Sequence, residues 1–452
     1  MQNTIEICIL AAGMGTRMKS SKPKMLQPIA GKPMLLHLLD TAAELNPDRI
    51  HIVIGSGADN VKSLVSRQEV NWVLQAEQKG TGHAVMQAMP EFSSSSKVLI
   101  LLGDAPLLRR CTMEKLLSEE CDLGVLTVDQ PEPSNYGRII RNGQQIIAIV
   151  EERDANKEQR GIREINTGVM VASARQLQEW LPHIETDNDQ EEYLLTDIVK
   201  IANQLGAIVR GVKTQDHQEV QGINTFAQLA SAERHYQQMT VRGLMDQGVH
   251  FVDPNRVTLR GKLLTGQDVS IDVNCIFEND VSLGDNVQVG ANCHIRDSQI
   301  GNNAVIKPNT IIDGAVIEND CSVGPFARIR PGTILEDKVA VGNFVEIKKS
   351  TLGRGTKSSH LTYLGDSVIG EEVNIGAGTI TCNYDGVNKH VTEIGDNVFV
   401  GSNTALVAPV TIGEGSTIAA GSTITKEVSD KSLAIARGRQ KNLRHWKGPR
   451  SK

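Results

Sequence analysis

The chain has 452 residues, too many for one ordinary core, so two or more domains are expected. Its 40% hydrophobic and 22% charged residues describe a globular protein, and a formal net charge of −6 argues against a general nucleic-acid binder. Aromatic residues are scarce at 3% while glycine is plentiful, which favours an architecture assembled from small and aliphatic side chains.

From the N-terminus, MQNTIEICIL shows no basic stretch ahead of a long apolar core, so no signal peptide is expected. No apolar run approaches the ~18 residues of a membrane span. Ile5–Leu10 reads as a first strand. The following LAAGMGTRMKSSKPKML (10–26) puts glycines straight after it, a setting in which backbone N–H groups hold phosphate. It is not the P-loop, which needs G-x-x-x-x-G-K-[ST]. Nor is it the dinucleotide fingerprint, because Met18 stands where the third glycine belongs. Strand-like runs at His51–Ile54, Asn71–Leu74, Val98–Leu102 and Leu123–Val128 alternate with helix-like segments such as Pro33–Leu45 and Thr81–Met89. This alternation predicts an α/β domain with a mostly parallel, Rossmann-like sheet and ligands at the carboxyl ends of its strands. Asp104, in LLGDAPL, ends one strand. Alone it reads equally as a metal-binding carboxylate or as the cap of a helix that Pro106 opens.

From Thr225 to about Gln247 the pattern predicts one long helix, a rigid connector with Phe226, Leu229, Ala230, Tyr236, Leu244 and Met245 on its apolar side. From about residue 250 the period becomes six: LGDNVQ (283), VGANCH (289), IGNNAV (300), VGPFAR (323), VGNFVE (341), LGRGTK (352), IGEEVN (369), IGAGTI (375), IGDNVF (394), VGSNTA (400) and IGEGST (412). Each unit opens with an aliphatic residue followed by glycine, and small or short-branched residues recur at the fifth position. Such coils stack a column of inward aliphatics, with glycine expected to permit tight turns at positive φ. An insertion at roughly 381–393 interrupts the series. The seven cysteines are scattered, odd in number and never in a C-x-x-C pair, so neither a disulfide framework nor a zinc site is expected and a reducing, cytoplasmic compartment fits.

The hexapeptide series resembles the hexapeptide acyltransferases, a family of generally trimeric left-handed parallel β-helices. The opening, L10-A-A-G-M-G-T-R-M18, KSSK, Pro23-Lys24, resembles the sugar-nucleotidyltransferases. Both in this order resemble the bifunctional bacterial N-acetylglucosamine-1-phosphate uridyltransferase/glucosamine-1-phosphate acetyltransferase family from Leu10 to Arg437. The implied organisation is a nucleotidyltransferase domain (1–226), a helical linker (227–247) and a β-helix acetyltransferase domain with a basic tail (248–452). A homotrimer is implied, with no nucleic-acid partner and no membrane span. The product would feed peptidoglycan and outer-envelope sugars.

The resemblance implies transfer of acetyl from acetyl-CoA to glucosamine 1-phosphate. Uridylyl transfer from UTP to N-acetylglucosamine 1-phosphate follows, with release of pyrophosphate. For the second step it implies Leu10, Ala11, Ala12, Gly13, Gly103 and Lys24 at the nucleotide, and Arg17 and Lys24 as cations for the leaving group. Gln75, Gly80 and Thr81 are implied at the uracil, Gly137, Glu151 and Asn166 at the sugar, and Asp104 with Asn224 at Mg²⁺. For the first step it implies His360 as general base, since the amine must be neutral to attack the thioester and a base near neutral pKa is wanted. Arg330, Lys348, Tyr363 and Asn374 are implied at glucosamine 1-phosphate, and Ala377, Asn383, Tyr384, Ser402, Ala420 and Arg437 at acetyl-CoA. Glu346 is a candidate to orient His360. Leu102 departs from the tyrosine frequent before Gly-Asp in relatives. The cations Arg437, Arg439, Lys441, Arg444, Lys447, Arg450 and Lys452 lack interleaved aromatics beyond Trp446 and read as a solvated end. Two other readings stand beside this one. One is a single-activity nucleotidyltransferase with a structural, regulatory β-helix, and the other is a trimeric binding scaffold.

Overall fold

The computed structural model describes residues 4–13, 15–55, 59–65, 70–188 and 191–446. Met14 of the opening loop and Lys447, Arg450 and Lys452 of the basic tail lie outside these residues. The chain forms two compact units, Met1–Tyr236 and Gln237–Lys452.

The first unit is built on a nine-stranded sheet: β1 (Ile5–Leu10), β2 (Arg49–Gly55), β3 (Asn71–Gln75), β4 (Lys97–Leu102), β5 (Leu123–Asp129), β6 (Arg138–Asn142), β7 (Gln145–Val150), β8 (Glu164–Ser173) and β9 (Val209–Thr214). The strand order is β3-β2-β1-β4-β8-β5-β9-β7-β6. Strands β1 to β4 pair in parallel, as do β5 and β9; the central β1, β2 and β4 are apolar and buried along nearly their whole length, as parallel strands covered on both faces require. Strand β8 enters the middle antiparallel to both neighbours. Its register shifts between Asn166 and Met170, at the positive-φ Gly168, and this kink turns Asn166 toward the ligand end of the sheet. The predicted strands and helices fall within a residue or two of those observed.

The long helix spans Phe226–Asp246. Leu229, Ala232 and Tyr236 pack in the first unit's core, and Val241 and Leu244 in the second's. The apolar side differs from the expected one: Phe226, Ala230 and Met245 are exposed. The stripe follows the i, i+3, i+4 rows through 229, 232 and 236, which those three residues miss.

The second unit is the left-handed parallel β-helix that the hexapeptide period requires. Three ladders of short parallel strands run along it. One inward column, Ile300, Ile317, Leu335, Leu352 and Ile369, advances one coil every 17 or 18 residues. At the insertion the step grows to 25 residues, from Ser367 to Thr392. All eleven opening residues of the quoted units are buried, none more than 3% exposed, and so is every fifth-position residue. Each unit therefore contributes two inward side chains.

The glycine expectation is corrected. The positive φ at the turns belongs mainly to the residue two places later, such as Asn286, Asn303 and Asn397. Short asparagine tolerates that conformation through local hydrogen bonding. The glycine is required for space: a Cβ at Gly284 would lie 2.4 Å from Asn302 Oδ1, and one at Gly401 2.5 Å from the backbone nitrogen of Ala420. Coils stacked at strand spacing leave no room for a methyl there.

Candidate active sites

In the first unit, Leu10, Ala12, Gly13, Lys24, Gln75, Gly80, Thr81 and Asp104 line a cavity of about 350 Å³ at the carboxyl ends of β1, β3 and β4. A second cavity of about 320 Å³ is lined by Gly137, Glu151, Asn166 and Asn224. Thr81, Leu102, Asp104 and Glu192 belong to both, so the expected nucleotide and sugar residues face adjoining compartments with Asp104 at the junction. Ala11 and Gly103 lie beneath. Ala11 donates to Val53, Gly103 donates to Leu10, and both are held by the sheet. A Cβ on Gly13 would meet no atom of the described residues within 4 Å, which leaves room there for a ligand. Gly15 differs: at φ 65° its Cβ would strike the Lys24 side chain at 2.6 Å.

The cations meet the expected metal ligands directly. Lys24 Nζ donates to Asp104 Oδ2 at 2.5 Å and to Asn224 Oδ1 at 2.7 Å, and Arg17 Nη2 donates to the same Asn224 oxygen at 2.7 Å. Lys24 is buried although it is charged, which this pairing makes tolerable. Two oxygens from distant chain positions thus converge on one cationic atom. The arrangement fits a hard divalent cation held by one carboxylate and one amide, with phosphate and water completing its shell.

Gln75 is buried, and its amide nitrogen donates to the Gly80 carbonyl at 3.0 Å and lies 3.1 Å from His83 Nδ1. Among the described residues its oxygen has no hydrogen-bond donor and remains able to accept from a ligand N–H. The Thr81 hydroxyl accepts from the Leu195 N–H at 3.1 Å. In the second cavity, the Asn166 oxygen accepts from Gly168 N–H at 3.0 Å, leaving the amide nitrogen as a donor. Burial pushes the Glu151 carboxyl above its ordinary pKa, with Asp154 and Asp197 adding to the shift against a hydrogen bond from Thr196. Glu192, at the junction of the cavities, was not singled out from the sequence; an isolated glutamate in EEY carries no signal there.

In the second unit the register makes one corner informative. Asn343 pairs with His360, and continuation of the same ladder aligns His360 with Ala377, Ser402 and Ala420 on successive coils. The Ala377 carbonyl accepts from Asn403 N–H and the Ser402 carbonyl from Gly421 N–H, both at 2.8 Å. Arg437 Nη1 donates to the Ala420 carbonyl at 2.7 Å, closing the column. The expected base and four expected acetyl-CoA contacts thus form one vertical line. His360 is exposed, and its Nδ1 lies 2.8 Å from Asn343 Oδ1.

The next corner holds charge. Arg330 and Lys348 align on successive coils. Lys348 also faces Lys389 from the insertion, whose contact and charge, with that of Arg330, push the Lys348 ammonium below its ordinary pKa. Three cations gathered this way suit a phosphate dianion. Lys389 escaped the sequence reading because only the fold brings the insertion back to this corner. A Cβ at Gly365 would lie 2.4 Å from Tyr363 Oη and 2.9 Å from Asn383 Nδ2, so these two side chains bracket that glycine. Asn383 also donates to Asp366 at 2.5 Å. Asn383 and Tyr384 therefore stand at this corner, separate from the Ala377–Ser402–Ala420 column. Asn374 lies a coil away from Lys357, on the other face. Glu346 accepts from Arg330 Nη1 at 2.7 Å and serves the phosphate corner, whereas His360 is held by Asn343.

Comparison with known proteins agrees with both halves. A MobA-like NTP transferase domain model matches residues 7–194, a GMPPB C-terminal domain model residues 259–352, and the bacterial transferase hexapeptide model residues 392–426. The bifunctional protein GlmU of Marinobacter nauticus is 51% identical over 449 residues, covering 99% of each chain. That of Idiomarina loihiensis is 52% identical over 451 residues, again covering 99% of each. That of Cellvibrio japonicus is 51% identical over 451 residues, covering 99% of this chain and all of its own. Similarity at this level, running through both cavities, the long helix and every coil, makes the chain a member of the bifunctional GlmU family.

Proposed function

We propose that the two sites just described carry the two transfers of this bifunctional transferase. The chain makes UDP-N-acetylglucosamine in two steps: acetylation of glucosamine 1-phosphate by acetyl-CoA, then uridylyl transfer from UTP with release of pyrophosphate. The proposed division is a nucleotidyltransferase domain over 1–226, a helical connector over 227–247 and an acetyltransferase domain over 248–452.

For uridylyl transfer, the sugar phosphate oxygen is already an anion, so positioning and charge neutralisation carry the step. The loop around Gly13 holds the triphosphate, Gln75, Gly80 and Thr81 hold the uracil, and Gly137, Glu151 and Asn166 orient the sugar. Asp104 and Asn224 would hold Mg²⁺, which when bound offsets charge on the phosphates. Lys24 and Arg17, which contact these ligands, then turn to the pyrophosphate as it leaves.

For acetyl transfer, Arg330, Lys348 and Lys389 hold the sugar phosphate and Tyr363 contacts the sugar at the same corner, while Asn374, on the other face, meets the sugar from a second copy in the homotrimer. His360 Nε2 takes the proton that the nitrogen loses as it attacks the thioester carbonyl; the C–S bond then breaks, and the departing CoA thiolate takes a proton back from the imidazolium. Ala377, Ser402 and Ala420 offer a corner of small side chains along which pantetheine lies close, with Arg437 at the CoA phosphates and Asn383 and Tyr384 beyond. We also propose a homotrimer acting in the cytoplasm. All seven cysteines are free thiols, and no helix among the described residues is long and apolar enough to cross a membrane.

The observation that carries two activities over one activity on a passive scaffold is the corner column itself. A spacer has no use for a held histidine aligned with small residues and an arginine, beside three crowded cations. The test gives the protein acetyl-CoA and glucosamine 1-phosphate, without UTP or Mg²⁺, and follows free thiol. Sugar-dependent release that disappears in His360→Ala supports the assignment. Full release by His360→Ala would move the base elsewhere.

A further inference from the structure

We propose that Asn343 is a positioning residue for acetyl transfer: its amide oxygen holds the Nδ1–H tautomer of His360 and leaves Nε2 free to take the proton. The inference rests on the reading of His360 as the base. Asn343 is the third residue of VGNFVE, the position that Ala377 and Ser402 occupy in their own units. The strands Ala340–Asn343 and Lys357–His360 pair in parallel, with Asn343 directly against His360. Neighbouring parallel strands lie about 4.8 Å apart, close enough for the two side chains to meet above the ladder.

The contact is 2.8 Å from Asn343 Oδ1 to His360 Nδ1. An amide oxygen only accepts, so the ring nitrogen facing it carries the proton. The other nitrogen then bears the lone pair, as a general base requires. The backbone on both sides is fixed. The Asn343 carbonyl accepts from Leu361 N–H at 3.1 Å, and Phe344 N–H donates to the Phe326 carbonyl at 3.1 Å. Gly342, one residue earlier, lets Ser359 approach as no larger residue would: a Cβ there would lie 1.9 Å from the Ser359 oxygen.

A neutral amide also sets the ring without placing charge beside it. Neither strand packed against Lys357–His360, Ala340–Asn343 on one side and Asn374–Ile375 on the other, carries a charged side chain. The charged groups nearby are Lys357 on the same strand and Lys307, which shares a groove with His360. Thr362 donates to the backbone carbonyl of His360 at 2.8 Å and leaves the ring alone.

The test combines ¹⁵N NMR of the full chain with the pH profile of acetyl transfer, using His360→Ala to assign the resonances. The unaltered protein is expected to show His360 protonated on Nδ1 when neutral. Asn343→Ala is expected to move the ring toward the Nε2–H form that free histidine prefers and to lower kcat about tenfold. KM for both substrates should change less than twofold. Asn343→Asp, which keeps an acceptor, is expected to restore the tautomer and shift the acidic limb of the profile upward by about one pH unit, since a carboxylate favours imidazolium. Uridylyl transfer should be unchanged in both variants. A His360 signal protonated on Nε2 in the unaltered protein would overturn the proposal, and so would an Asn343→Asp profile superimposable on the original. Retained acetyl transfer in His360→Ala would instead remove the base assignment beneath it.

Discussion

Replacing Gly342 by alanine drives a methyl group into the neighbouring coil. The added Cβ would lie 1.9 Å from the Ser359 carbonyl oxygen, whereas ordinary contact begins at 3.4 Å, so the coils must part by about 1.5 Å. The obstacle is backbone, not the end of a flexible side chain, and cannot rotate away. Hydrogen bonds on either side, Ala340 N–H to the Thr356 carbonyl at 2.9 Å and Leu361 N–H to the Asn343 carbonyl at 3.1 Å, cannot survive that opening. Two lost bonds at about 1 kcal/mol each, with about 1–3 kcal/mol of overpacking strain, amount to roughly 3–5 kcal/mol. With a urea m-value of about 2–3 kcal/mol/M, the midpoint falls by about 1–2.5 M. The assay follows loss of each activity separately with urea. Acetyl transfer should fail early and show a lowered kcat in buffer, because the strain lies between Asn343 and His360. Uridylyl transfer should keep its midpoint. An acetyl-transfer midpoint within about 0.3 M of the original would refute the reading of the repeat glycine as a requirement of coil spacing. Gly243→Ala provides the contrast: a Cβ there meets nothing within 4 Å inside a helix, so a gain of about 0.8–1 kcal/mol is expected.

Chelation with EDTA should abolish uridylyl transfer and leave acetyl transfer intact. Asp104→Asn should lower the first activity by at least about a hundredfold, measured as pyrophosphate release. Lys389→Ala should raise KM for glucosamine 1-phosphate about tenfold or more by removing one charge-assisted contact, with inorganic phosphate losing potency as a competitor. It should also return the Lys348 ammonium toward its ordinary pKa, because Lys389 is the largest cause of the depression. For Glu151 the sign follows from a raised folded pKa: the native state holds the proton more tightly than the unfolded chain. Its contribution to stability therefore falls as pH rises from 4.5 through the folded pKa. Glu151→Gln should remove that fall, raising the urea midpoint of the first unit near neutral pH, while KM for the sugar phosphate worsens.

Local features were legible because one residue's physical chemistry dictates them. Alternating apolar runs gave the strands around Leu10, Gln75 and Leu102, and one aliphatic in six gave the coils. The loop glycines, the strand-ending Asp104 and the odd histidine in HLTYLGD were visible as candidates from type and position. What the glycine does in each repeat was not legible, because positive φ and close approach both select glycine, and only the spacing of neighbouring coils separates them. The antiparallel entry of β8 was also hidden, since a strand's pattern records which faces are buried but not the direction of its neighbours.

The sequence by itself determined two architectures and the residue types each site requires, since hydrophobic periodicity fixes secondary structure and repeat length. Tertiary structure alone decided the partnerships. It placed Lys24 between Asp104 and Asn224, 80 and 200 positions away along the chain. It returned Lys389 to Lys348, took Glu346 to Arg330 and set Asn343 against His360. Such contacts depend on coil register and on the closure of long connections, quantities that belong to the folded chain as a whole and that no local pattern encodes.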